Sequence, residues 1–125
     1  MDLGSAEARG RLTTHVLDTA SGNPAAGLRI ELLRRGEGSF EPVLSARTNA
    51  DGRCDAPLLA GPSLVRGVHE LIFHVGDYFR ARGVVMQDPA FLDLVPVRFG
   101  ISDLDRHYHV PLLISPFGYA TYRGS

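Results

Sequence analysis

Short apolar runs, each closed within a few residues by glycine or proline, dominate this chain and leave no stretch long enough for an extended helix. Fourteen Gly and eight Pro are spread through 125 residues. Because both residues interrupt regular elements and mark turns, the pattern predicts many short strands and an all-β fold. Period-two alternation places strands at 12–18, 28–33, 40–48, 54–59, 68–75, 94–101, 107–114 and 118–123. Pro42 makes the third an edge strand, since proline cannot donate to a ladder. Asn23-Pro24 after Ser21-Gly22 reads as a turn, and Asp51-Gly52 as a hairpin turn. A single helix of one or two turns is expected at 77–82, with Asp77 as N-cap and Gly83 as C-cap. Eight strands and one helix make a two-sheet sandwich.

A chain of this length is one domain with a core burying roughly two-thirds of the unfolded surface. The domain is expected at 11–125, after a flexible N-terminal arm at 1–10. A net charge of −1 gives no electrostatic reason to expect nucleic acid or an anionic membrane as partner. Cys54 is the only cysteine, so no intrachain disulfide can form, and a reducing compartment, the cytoplasm, is the expectation. Residues 1–11 carry charge and no apolar run, which fits neither a signal peptide nor a membrane span.

Five histidines are available for chemistry. His107-Tyr108-His109 puts two imidazoles on one face of a strand, where each can accept a proton near neutral pH and return it later. Strand histidines are more often structural or solvated, so spacing alone does not decide their role. A His-x-His pair is also half of a metal site, to be completed by His15, His69 or His74, but neither a cysteine set nor His-Glu-x-x-His accompanies it. Arg53 follows the Asp51-Gly52 turn, where a guanidinium can hold a carbonyl-rich ligand or a developing oxyanion, although most such arginines are merely solvated. Cys54 reads as a small core residue rather than a nucleophile. In the tail Tyr122-Arg123-Gly124-Ser125, strand alternation sets Tyr122 opposite Arg123 and Ser125. Tyr122 and Ser125 can then share a pocket only if the tail bends at Gly124.

Four stretches in order carry a family resemblance: 12–18 (LTTHVLD) with 22–25 (GNPA), 48–53 (TNADGR), 107–113 (HYHVPLL) and the terminal 122–125 (YRGS). With them the chain resembles the 5-hydroxyisourate hydrolase family, the transthyretin-related enzymes of urate breakdown, over residues 11–125. The resemblance implies a transthyretin-like sandwich of about eight strands with one short helix, assembled as a homotetramer, a dimer of dimers, with sites in the channel between dimers. It also implies a cofactor-free and metal-independent reaction. The six-membered ring of 5-hydroxyisourate would be opened by water to give 2-oxo-4-hydroxy-4-carboxy-5-ureidoimidazoline. His15, Arg53, His109 and Ser125 are then the expected catalytic residues, with His109 or His15 as base and Arg53 at the oxyanion. His15, Arg53, Tyr122 and Arg123 would bind substrate, with Ser125 orienting a histidine or the water through its hydroxyl or carboxylate, and His107 supporting His109. His69 and His74 lie outside the motifs and are expected to be structural. The alternatives are a non-enzymatic small-ligand carrier in the transthyretin manner, and a metal-dependent amidohydrolase.

Overall fold

A computed structural model describes residues 9–125. The expected arm at 1–10 falls outside them except for Arg9 and Gly10, and Gly10 is buried with its N–H donating to Leu104 O at 2.7 Å. The described chain forms β1 (Arg11–Asp18), β2 (Asn23–Pro24), β3 (Arg29–Arg35), β4 (Phe40–Arg47), β5 (Leu59–Ala60), β6 (Gly67–His74), α1 (Val75–Ala81), β7 (Leu94–Ile101), β8 (His107–Ser115) and β9 (Gly118–Thr121). One sheet runs β2-β1-β8-β9 with β5 also on β1, and the other runs β4-β3-β6-β7. The all-β sandwich with one short helix is therefore borne out.

Alternation fills the space between the sheets. Leu12 and Val16 of β1, Ile30 and Leu32 of β3, Leu71 and Phe73 of β6, and Leu112 and Ile114 of β8 are fully buried. Each such side chain contributes about 1.5–3 kcal/mol of burial. His69 is buried with them: its Nδ1–H donates to Gly67 O at 3.0 Å and its Nε2 accepts from Arg34 Nε at 3.1 Å. Burial holds its pKa below the ordinary value; the Gly67 carbonyl pulls the other way and the Arg34 charge adds to the lowering. It is a neutral core histidine.

β1 and β8 pair in parallel, far apart in sequence, with Thr13 opposite His109 and Arg11 opposite His107. Three short pieces cover the other side of β1: β5 against Arg11 and Leu12, an isolated bridge from Arg53 to His15, and β2 against Leu17 and Asp18.

Four boundaries differ from the sequence reading. The expected strand at 54–59 shrinks to β5, since the chain there crosses from one sheet to the other and Pro57 has no N–H for a ladder. For the same reason the Asp51-Gly52 turn does not close a hairpin: β4 pairs with β3, while β5 pairs with β1. The helix starts at Val75 with His74 as N-cap and Asp77 inside its first turn, and Gly83, at φ +81°, follows the C-cap Arg82. β9 stops at Thr121, because continuing its register would bring Tyr122 opposite Pro111, which has no donor. Thr121 Oγ1 donates to Pro111 O at 2.7 Å instead. Pro42 does lie on an edge strand, beside a register shift that leaves Val43 as an extra residue.

Candidate active site

The side chains of β1 and β8 that alternation turns away from the core form the floor of a cleft of ≈ 560 Å³. Thr13 and His15 come from β1, His107 and His109 from β8, Arg53 from the turn bridged to His15, and Tyr122, Gly124 and Ser125 from the tail. Two distant segments reach the floor because parallel pairing aligns them.

Each imidazole presents a different nitrogen. His15 Nε2 lies 3.0 Å from the backbone carbonyl of Asp51. A carbonyl only accepts, so Nε2 carries a hydrogen and Nδ1 is the nitrogen left over. In His109 it is Nδ1 that is engaged, 2.8 Å from Thr13 Oγ1, and among the described residues Nε2 has no hydrogen-bond partner. Burial first, then the charges of Arg53, His107 and His15, hold the His109 pKa below its ordinary 6.5. His109 is therefore neutral at pH 7, with a nitrogen able to take a proton. Arg53 brings to the cleft a positive charge of the kind that stabilises a developing oxyanion.

The tail follows β8 beyond β9. Gly124 N–H donates to His109 O at 2.8 Å. In an antiparallel register, Tyr122 and Gly124 share the face of His109, and the side chain between them points the other way. Arg123 is accordingly not brought to the cleft: its guanidinium lies over the Tyr108 ring, 4.4 Å from the centroid. Gly124 is not a hinge of positive φ. It is a space requirement, because a Cβ there would stand 2.5 Å from His109 Cδ2.

Cys54 borders the cleft half-buried, and burial followed by the Asp55 charge pushes its thiol up, away from thiolate chemistry. His74 pairs with Glu31 at 2.6 Å beside α1, and His69 lies in the core, so neither joins His107 and His109. Among the described residues no three of His, Cys, Asp and Glu are grouped to hold a metal ion.

The model of the HIUase/Transthyretin family matches residues 12–124. The chain belongs to this family. It is 60% identical over 116 residues to 5-hydroxyisourate hydrolase 2 of Rhizobium meliloti (strain 1021), covering 93% of this chain and 97% of that protein. Among solved structures it matches (S)-allantoin synthase with TM-score 0.89 and 45% identity, over 94% of this chain but 44% of that one, so it spans less than half of that protein. It matches sea bream transthyretin in complex with thyroxine with TM-score 0.82 and 25% identity, over 91% and 94% of the two chains. The family resemblance carried by the four sequence stretches is thereby borne out.

Two contributors to this family member's cleft escaped the sequence reading. Thr13 touches both His107 and His109, and its only signal was sharing a strand face with His15. Asn49 shapes the Arg53 turn: its Oδ1 accepts from the Asp51 and Arg53 N–H groups at 2.9 and 3.2 Å, and its Nδ2 donates to Asp55 at 2.9 Å. Asparagine before a tight turn is the signal that could have found it.

Proposed function

We propose that the protein hydrolyses 5-hydroxyisourate to 2-oxo-4-hydroxy-4-carboxy-5-ureidoimidazoline, a step of urate breakdown, without a metal or other cofactor. The observation that carries this reading is the meeting of His15, Arg53 and His109 in one cleft, with the Nε2 of a neutral imidazole unengaged among the described residues. The 60% identity to a protein named for this hydrolysis supports it. His109 Nε2 takes a proton from water, the water oxygen attacks the ring carbonyl, and Arg53 stabilises the oxyanion. A histidine acid then protonates the leaving ring nitrogen. His15, its Nε2–H held by Asp51 O, orients substrate through Nδ1. Tyr122 contacts the ring, Ser125 orients the water or a histidine, and Arg123 acts by fixing the tail against Tyr108.

A carrier for an apolar ligand needs mainly apolar walls, which imidazoles and a guanidinium do not provide. The reading includes a homotetramer with sites between dimers, supported by the free outer edges of β7 and β9 and by exposed Phe91, Phe117 and Tyr119 nearby in the chain. A cytoplasmic location goes with it, supported by the lone, unpaired Cys54.

The test follows freshly generated 5-hydroxyisourate by its absorbance. The wild type should far outpace spontaneous decay, and His109→Ala should lose about 10²–10⁴-fold in kcat, the usual contribution of a positioned acid-base group. No acceleration by the wild type ends the hydrolase reading.

A further inference from the structure

The hydroxyl of Thr13 touches two imidazoles at once. Its Oγ1 lies 2.9 Å from His107 Nε2 and 2.8 Å from His109 Nδ1. The parallel register builds this in, because Thr13 is the partner of His109 and His107 is the partner of Arg11, one step back on the same face. The two rings are 6.3 Å apart between centroids, too far to bond directly, so the hydroxyl is the link.

A hydroxyl has one hydrogen to give and two lone pairs to accept with. Two complementary arrangements result. In the first, His109 Nδ1–H donates to Oγ1 and Oγ1–H donates to His107 Nε2, which leaves a lone pair on His109 Nε2. In the second, His107 Nε2–H donates to Oγ1 and Oγ1–H donates to His109 Nδ1, which leaves a hydrogen on His109 Nε2. The first makes His109 a base and the second makes it an acid.

We propose that Thr13 relays protons between His109 and His107, so that His107 stores, between the two halves of the reaction, the proton His109 takes from water. The proposal rests on the hydrolytic reading above. As water attacks, one of its O–H bonds breaks and an N–H bond forms at His109 Nε2. The Nδ1–H bond of that imidazolium then breaks toward Oγ1 while the Oγ1–H bond breaks toward His107 Nε2. His109 is neutral again, with its hydrogen on Nε2, and the charge sits on His107. When the ring C–N bond breaks, the Nε2 hydrogen passes to the leaving nitrogen and both transfers run backwards. One proton has moved from water to nitrogen, and nothing is oxidised or reduced.

Electrostatics favour the transfer. A cation on His109 stands half-buried before Arg53, whereas His107 is exposed to water. Arg11 and His15 of β1 also face the cleft, with Cys54 and Asp55 beyond the turn. Tyr122 and Ser125 close it from the tail. Thr13 is a positioning residue in this scheme, since it reaches the substrate only through His109.

The experiment compares Thr13→Val, Thr13→Ser and His107→Gln. Glutamine still offers the hydroxyl a hydrogen-bond partner but cannot hold a proton. Thr13→Val and His107→Gln should each lower kcat about 10- to 100-fold, part of an acid-base contribution, and Thr13→Ser should restore most of it. KM should stay within about twofold, because binding is untouched. Imidazole nitrogen NMR supplies an arm that needs no substrate. In the wild type, protonating His107 should move the His109 hydrogen from Nδ1 to Nε2, and in Thr13→Val the His109 tautomer should no longer follow the proton on His107. Wild-type kcat and pH profile in Thr13→Val and His107→Gln would overturn the relay. So would failure of Thr13→Ser to restore activity, or a His109 tautomer that still follows His107 without the hydroxyl. A wild type that proves inactive sinks the functional reading, and the His109 tautomer still decides the relay.

Discussion

At Arg53 the geometry of a turn and the chemistry of the cleft meet in one residue. Asn49 folds the turn by accepting from two backbone N–H groups, and Gly52, at φ +75°, passes beneath with its carbonyl accepting from Val16 N–H at 2.8 Å. A Cβ on Gly52 would collide with Val16 O, so glycine is required there by space as well as by conformation. The bridge to His15 then sets Arg53 at the cleft, where its charge acts on His109. Because that positive charge disfavours the imidazolium, Arg53→Gln should raise the His109 pKa toward its ordinary value. As the proposed base, His109 acts only when neutral, so activity in the variant should fall off at a higher pH than in the wild type. NMR titration of His109 in both proteins checks the sign, and an unchanged midpoint would show that Arg53 does not act on His109. The same variant should lose about 10²–10³-fold in kcat as a missing oxyanion donor.

Helix α1 is tied to the end of β1 by a buried bond. Tyr78 Oη donates to Asp18 Oδ2 at 3.0 Å, while Asp18 Oδ1 accepts from the Ala20 and Ser21 N–H groups at 2.9 and 3.1 Å. Burial, then the hydrogen bond and charge of Asp18, push the Tyr78 phenol up to about 12, against the charge of Arg82. A folded-state pKa raised above the unfolded value of 10.0 means this contribution is complete below pH 10 and is lost as pH climbs toward 12. Tyr78→Phe should cost about 1–3 kcal/mol at pH 8 by leaving a buried acceptor unpaired. It should also flatten the decline in stability between pH 10 and 12. Urea unfolding across that range measures both, and an equally steep decline in the variant would remove Tyr78 as its cause. At this scale the sequence was readable where strands alternate over seven or more residues, as in β1, β6, β7 and β8. It was not readable for β2 and β5, two-residue pieces that owe their conformation to the edge of β1 rather than to a pattern of their own. Nor did propensity place the helix start, because Val75 is helical yet buried, a residue that reads locally as the end of a strand.

Across the whole molecule, the sequence disclosed most of the residues that gather in the cleft, though it passed over Thr13 and wrongly added Arg123, but not how they are joined. His15, Arg53, His109 and Tyr122 stand in recognisable motifs, whereas the contact of Thr13 with two histidines exists only because β1 and β8 run parallel across a separation of more than ninety residues. The tail repeats the lesson: alternation separated Tyr122 from Ser125, and Pro111 removed the ladder partner that would have enforced it. The same edges bear on assembly. β9 ends one sheet and β7 the other, and both leave backbone donors and acceptors without a strand partner among the described residues. The Phe91 and Phe117 rings lie 6.0 Å apart between centroids, tilted by 45°, while remaining 68% and 73% exposed, a contiguous apolar surface of the kind that pairs with another copy. If the homotetramer is built through this side, Phe91→Glu with Phe117→Glu should place four like charges across each pair of chains, two from each partner, and reduce the mass found by sedimentation equilibrium below four chains. The two residues lie outside the cleft, so the variant's circular dichroism and core unfolding should remain those of the wild type. Activity should fall with dissociation, since sites between dimers lose a wall when the dimers part. A variant that stays tetrameric would move the interface elsewhere, and a monomer with full activity would mean that one chain completes the site alone.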